Sequence, residues 1–80
     1  MNNTFGNPDI KTASFLLASN IPLVKVIKDN PKKVVFYFSD TKEVKQLLEQ
    51  YWQDQAVVNP RLLFEKLDYL KDLIFQSNRY

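Results

Sequence analysis

Asp9, directly after Pro8, and the pair Glu43 and Lys45 in Glu43-Val44-Lys45 are the residues of this chain best suited to chemistry. Carboxylates brought together can hold a divalent cation, and a nearby ammonium can steady the charge that builds when water attacks a phosphodiester. That arrangement needs the acid and the lysine on a strand, where residues two apart point the same way. Here Glu43 and Lys45 open a segment with helical apolar spacing, in which residues two apart diverge. Both acids also stand where a helix N-terminus favours negative charge. The chain has no His and no Cys, which removes the commonest general base, metal ligand and side-chain nucleophile. Its single Gly leaves no glycine-rich phosphate loop. The expectation is a protein that is not an enzyme, with no catalytic residue, no metal site and no cofactor. A metal-dependent nuclease is the remote alternative, since Pro-Asp followed by acid-x-Lys is superficially similar to the motif of that large class.

A second set of residues is basic and aromatic. Up to Lys33 five lysines (Lys11, Lys25, Lys28, Lys32, Lys33) face only Asp9 and Asp29. After Lys33 six basic residues meet seven acids, so the small net charge of +2 hides a basic front half. Lys25, Lys28, Lys32 and Lys33, with Arg61, are the candidate nucleic-acid contacts. Two or three such phosphate contacts give weak, salt-sensitive attraction. The run Lys33-Val34-Val35-Phe36-Tyr37-Phe38 is faintly similar to the aromatic strand of RNA-recognition domains, without their glycines, and Tyr37 is its best candidate for an exposed ring. The competing explanation is that the lysines guard sheet edges against stray pairing.

A third set is apolar surface beyond what a small core needs. Val35, Tyr37, Tyr51, Trp52, Tyr69 and Phe75 are the candidate protein-binding residues, with Tyr80 as a further exposed ring. Contiguous exposed patches of this kind mark protein interfaces, self-association included. Trp52 has an internal alternative, packing beneath Val57-Val58.

These residues must be positioned by few elements. Residues 1–6 read as a polar lead. Asn7-Pro8-Asp9 reads as a helix start with Asn as cap and Pro at the first helical position. Ile10, Ala13, Ser14 and Leu17 follow at helical spacing, and Asn20 before Ile21-Pro22 ends the helix. Residues 23–28 and 33–39 are strands joined by the turn Asp29-Asn30-Pro31-Lys32. In the second strand Val34, Phe36 and Phe38 share one face, and Val35 and Tyr37 share the other, so both faces are apolar. Ser39 or Asp40, with Glu43, reads as a capping box for a helix ending near Trp52. Ala56-Val57-Val58 is a possible third, edge strand. Asn59-Pro60 starts a last helix with Leu63, Leu67, Leu70 and Ile74 on one stripe.

The fold expected is α+β, one domain over residues 1–80 with three helices packed on a small antiparallel hairpin, in the order α-β-β-α-(β)-α. No apolar run reaches membrane-spanning length and no signal pattern opens the chain. Together with the lack of Cys, this points to a cytoplasmic protein.

Four stretches carry a family resemblance. They are residues 9–17, Lys33-Val34-Val35-Phe36-Tyr37-Phe38-Ser39-Asp40, Tyr51-Trp52, and Asn59-Pro60-Arg61-Leu62-Leu63-Phe64 leading into residues 67–73. In these the chain resembles a family of small, functionally uncharacterised bacterial and mobile-element proteins, a domain of unknown function. Asn20 stands where that family has Gly. The resemblance implies an architecture and no activity. The function expected from the residues is a non-enzymatic protein-interaction module: a homodimer, an accessory subunit, or an inhibitor of a larger assembly. Nucleic-acid binding through the basic hairpin is the alternative. No membrane and no small-molecule partner is expected.

Overall fold

The computed structural model describes residues 3–30 and 33–78. The elements in chain order are β1 (Thr4–Asn7), α1 (Ile10–Ala18), β2 (Leu23–Asn30), β3 (Lys33–Ser39), α2 (Lys42–Trp52) and α3 (Pro60–Asn78). The α+β class and the antiparallel hairpin are as expected, but the order is β-α-β-β-α-α. The sheet has three strands in the order β1-β3-β2, with β3 antiparallel to both neighbours.

The third strand therefore comes from the segment read as a polar lead. Thr4 and Phe5 pair with Ser39 and Phe38, and Gly6 and Asn7 with Tyr37 and Phe36. A backbone bond from Asp40 N to the Asn3 carbonyl extends the pairing by one step, at 2.8 Å. Phe5 is the apolar side chain of β1 that packs against the core, its ring 6.4 Å from that of Phe38. Residues 56–58, read as a possible edge strand, pair with no strand. Ala56 and Val58 pack on the core while Val57 is 93% exposed. The alternation is genuine, but it serves an extended connector lying on the helix side.

Local chemistry explains the element ends. α1 is capped by Asp9 and not by Asn7, because Asn7 belongs to β1. The Asn7 side chain instead accepts from Asp9 N at 2.8 Å, which turns the chain out of the sheet. Asp9 accepts from Lys11 N at 3.2 Å and from the Thr12 hydroxyl at 2.7 Å. α1 ends in a Schellman arrangement: Asn20 N reaches the Leu17 carbonyl and Ile21 N the Leu16 carbonyl, both at 3.0 Å. Asn20 sits at φ 69°, in the left-handed region that Asn tolerates. α2 is capped by Thr41, whose hydroxyl accepts from Val44 N at 3.2 Å, and not by Ser39 or Asp40. Glu43 lies in its first turn, favourable against the dipole. Asn59 caps α3 as read, accepting from Arg61 N at 3.0 Å and Leu62 N at 3.3 Å.

The core lies between the helices and one face of the sheet. Phe36 and Phe38 project from β3 into it and meet Phe15 and Leu16 of α1, Val44 and Leu48 of α2, and Leu70 of α3. Leu23 and Val26 of β2 and Val34 of β3 complete the sheet's contribution. Two buried polar groups are satisfied within α1: Thr12 by Asp9, and Ser14 by donation to the Ile10 carbonyl at 2.7 Å. No described helix is long and apolar enough to cross a membrane.

Candidate interaction surface

Antiparallel partners share a face, so the register fixes what the sheet shows on the side away from the core. That outer face carries Thr4 and Gly6 from β1, Lys33, Val35, Tyr37 and Ser39 from β3, and Lys25 and Ile27 from β2. None of them belongs to the core cluster. A register shift between Leu23 and Lys25 sets this arrangement. Simple alternation from Leu23 would turn Lys25 and Ile27 inward and Val26 outward. The bulge at Val24 reverses this, so Val26 joins the core and Ile27 faces out opposite Val35. Val24 is 47% and Ile27 36% exposed.

Tyr37 is held at the middle of this face. A side chain at Gly6 would meet Tyr37 Cε1 at 2.9 Å and Val35 Cγ1 at 2.8 Å, so the tyrosine ring lies over the bare backbone of β1. From the opposite strand Lys25 brings its ammonium to 5.1 Å from the centre of the same ring, a cation–π contact. Among the described side chains of the face, the only charges are those of Lys25 and Lys33.

Two recesses lie elsewhere. One, of about 470 Å³, opens between α1, α3 and the connector, with Phe15, Tyr51 and Phe64 among its lining residues. Tyr51 stacks on Phe15 there at 5.1 Å, while Phe64 stays 61% exposed at the edge of α3. The other, of about 390 Å³, lies between Phe5 and α2 beside Trp52, which is 68% exposed. Trp52 therefore does not pack beneath the connector.

The sequence profile of the domain of unknown function DUF5659 matches residues 2–76. The chain belongs to this family. No curated protein and no solved structure matches it. The DUF5659 match spans all three strands, β1 included, and both α1 and α2, so the whole outer face lies inside it.

Within the DUF5659 domain the six candidate protein-binding residues do not form one patch. Val35 and Tyr37 share the outer sheet face. Tyr51 is half-buried and stacks on Phe15 at the recess beside α1, and Trp52 stands at the end of α2. Tyr69 and Phe75 are exposed on α3, at 50% and 67%. The basic set is divided too. Lys25 and Lys33 lie on the outer face, whereas Lys28 pairs with Val34 on the side of the core, and Arg61 sits in the first turn of α3. Lys32 and the turn residue Pro31 lie outside the described residues, as does Tyr80. Val24, Ile27 and Gly6 complete the outer face and carried no sequence signal, because only the bulge and the unexpected β1 bring them there.

The acids considered for chemistry have structural partners or exposed positions. The Thr12 hydroxyl does most to hold Asp9 below the usual carboxylate range; burial opposes it, and the backbone N–H groups of Lys11 and Thr12 and the Lys11 charge each add a smaller lowering. Lys45 lies 4.0 Å from Asp40 in a largely exposed ion pair. Among the described residues no group of three or more acids, His or Cys is placed to hold a metal ion.

Proposed function

We propose that this DUF5659 domain is a non-enzymatic protein-interaction module that docks its partner on the outer face of the sheet. One observation carries the reading: Val24, Ile27, Val35 and Tyr37 are presented on or beside a sheet face that the core cluster of described residues does not include. A face-packed sheet normally buries such residues against a second layer. The partner supplies that layer, whether the chain acts as a homodimer, an accessory subunit or an inhibitor of a larger assembly. The absence of His and Cys and the capping role of Asp9 agree with a binding role. A cytoplasmic place in a bacterial or mobile-element setting is part of the same proposal, resting on the Cys-free composition and the family resemblance.

The test is association measured by light scattering and by pull-down with the tagged chain, wild type against Ile27→Lys with Val35→Lys. Association lost in the double variant, with the fold intact, supports the face as the docking surface. Association retained in full would move the interface elsewhere, with the recess beside Phe64 the next place to look.

Lys25 and Lys33 flanking Tyr37 on one face favour a second reading, a single-stranded nucleic acid bound along the sheet. Titration with an oligonucleotide across a salt series decides it. Binding that weakens steeply with salt and disappears in Lys25→Glu with Lys33→Glu would support this reading over the first.

A further inference from the structure

We infer that the occupant of the outer sheet face is an acidic protein segment with aliphatic side chains, and not a second copy of this chain. The inference rests on the docking-face reading above and names the chemistry of the partner. Its first ground is charge. The described charged side chains of the face are Lys25 and Lys33, with no carboxylate among them. A twofold pairing of this face with itself brings the same patch against itself, so its described cations meet one another and no described carboxylate. Like charges across a closed interface are costly, and the complementary surface is anionic.

The second ground is the shape of the apolar part. Ile27 and Val35 pair across the strands midway between the two lysines, with Val24 half-exposed at the bulge. Branched aliphatic groups offer area to other aliphatic side chains but no flat surface for a base. The one ring, Tyr37, already lies over Gly6 with the Lys25 ammonium upon it, so it is not a free stacking platform. Two lysines alone give a nucleic acid only weak, salt-sensitive contact. Protein fits this face better.

The third ground is spacing. Lys25 pairs with Tyr37, and Lys33 stands four positions earlier on the same strand β3. At the rise of a β-strand that separation is roughly 13 Å, with the Ile27–Val35 pair at its centre. An extended partner segment matches it with an acid, an aliphatic residue two positions on, and a second acid two further. Each carboxylate then meets an ammonium in a charge-assisted contact, and the aliphatic group covers Ile27 and Val35.

The experiment is selection of a random dodecapeptide library displayed on phage against the full chain, in parallel with the Lys25→Glu, Lys33→Glu variant. Twelve extended residues reach about 40 Å, enough to cross the face. The wild type should enrich acidic peptides with the acid-x-aliphatic-x-acid pattern. The charge-reversed variant should bind the best of them at least about tenfold more weakly and enrich basic peptides instead. Thermal melting of the variants verifies the fold, and Lys33→Glu alone carries the same test if the double variant does not fold. Enrichment of neutral or basic peptides by the wild type, no enrichment, or enrichment unchanged by charge reversal each overturns the inference. A homodimer dissolved by Val35→Lys overturns it too, yet leaves the docking-face reading standing. Tighter binding of a dT oligonucleotide than of any peptide at 150 mM salt overturns both.

Discussion

On the inner side of β3, Phe36 and Phe38 are 1% and 0% exposed, enclosed by residues from all three helices. On the outer side of the same strand, Val35 and Tyr37 remain half-buried, with Ile27 and Gly6 as their strand partners and the Lys25 ammonium over the Tyr37 ring. The two faces are built of similar residue types, so hydrophobicity alone does not separate them. What separates them is that described residues of all three helices pack on the inner side, and that both charges described on the other side are positive. One face holds the fold together. The other is the proposed docking face.

The sharpest way to break this comparison is to truncate one residue on each side. Phe36→Ala or Phe38→Ala should cost about 3–5 kcal/mol, most of the stability of a small domain, and leave the chain largely unfolded. Val35→Ala should cost less than about 1.5 kcal/mol, because the side chain is only half-buried and lies outside the core cluster. Urea unfolding followed by circular dichroism measures both, and equal costs would show that the outer face is part of the core.

Next in size is Gly6→Ala. The added methyl collides with the Val35 side chain and the Tyr37 ring, which must lift from β1. The expected cost is about 1–3 kcal/mol. Altered ring chemical shifts for Tyr37 should accompany it, and an unmoved ring would mean that the close approach at Gly6 is not what seats it.

Asp9→Ala removes the α1 cap and should cost about 1 kcal/mol. The pH dependence has a definite sign. A carboxylate held below its unfolded range stabilises the fold above that range and loses this contribution as pH falls through its folded value. Wild-type stability should therefore decline on acidification below about pH 4, and the decline should be shallower in Asp9→Ala. Equal acid slopes in the two proteins would remove Asp9 from the account.

Asn20→Gly, at the left-handed C-cap of α1, should raise stability by about 0.5 kcal/mol, the smallest effect considered. A loss would mean that the Asn side chain contributes more than its backbone conformation costs.

Much of the frame was legible from the residues. The three helices announced themselves by apolar spacing, and the β2–β3 hairpin by its Val, Ile and Phe content on either side of a turn signal. β1 did not, since four residues containing Gly and Asn have little strand preference of their own. It is a strand because β3 offers it a backbone edge and Phe38 offers Phe5 a neighbour. The helix caps slipped by one or two positions for related reasons: Asn7 was claimed by the sheet, and Thr41 competed with two other good caps beside it.

The candidate surface was legible in part. Alternation in β3 was enough to put Val35 and Tyr37 together. It was not enough to find Ile27 and Lys25, because a single bulged residue reverses the faces of β2. The lysines looked like one patch in sequence, and the pairing register splits them. Tyr51 is half-buried, stacked on Phe15 of a helix distant in sequence, which spacing within α2 alone does not reveal.

The most direct test measures binding and stability in one variant, Ile27→Ser with Val35→Ser, which leaves the charge of the face unchanged and removes its apolar centre. The account predicts that urea unfolding shifts by less than about 1.5 kcal/mol. Calorimetric titration should show the acidic peptide selected on the wild type binding at least about tenfold more weakly to the variant. Undiminished binding, or a fold lost along with the binding, would contradict the division of the sheet into a structural face and a docking face.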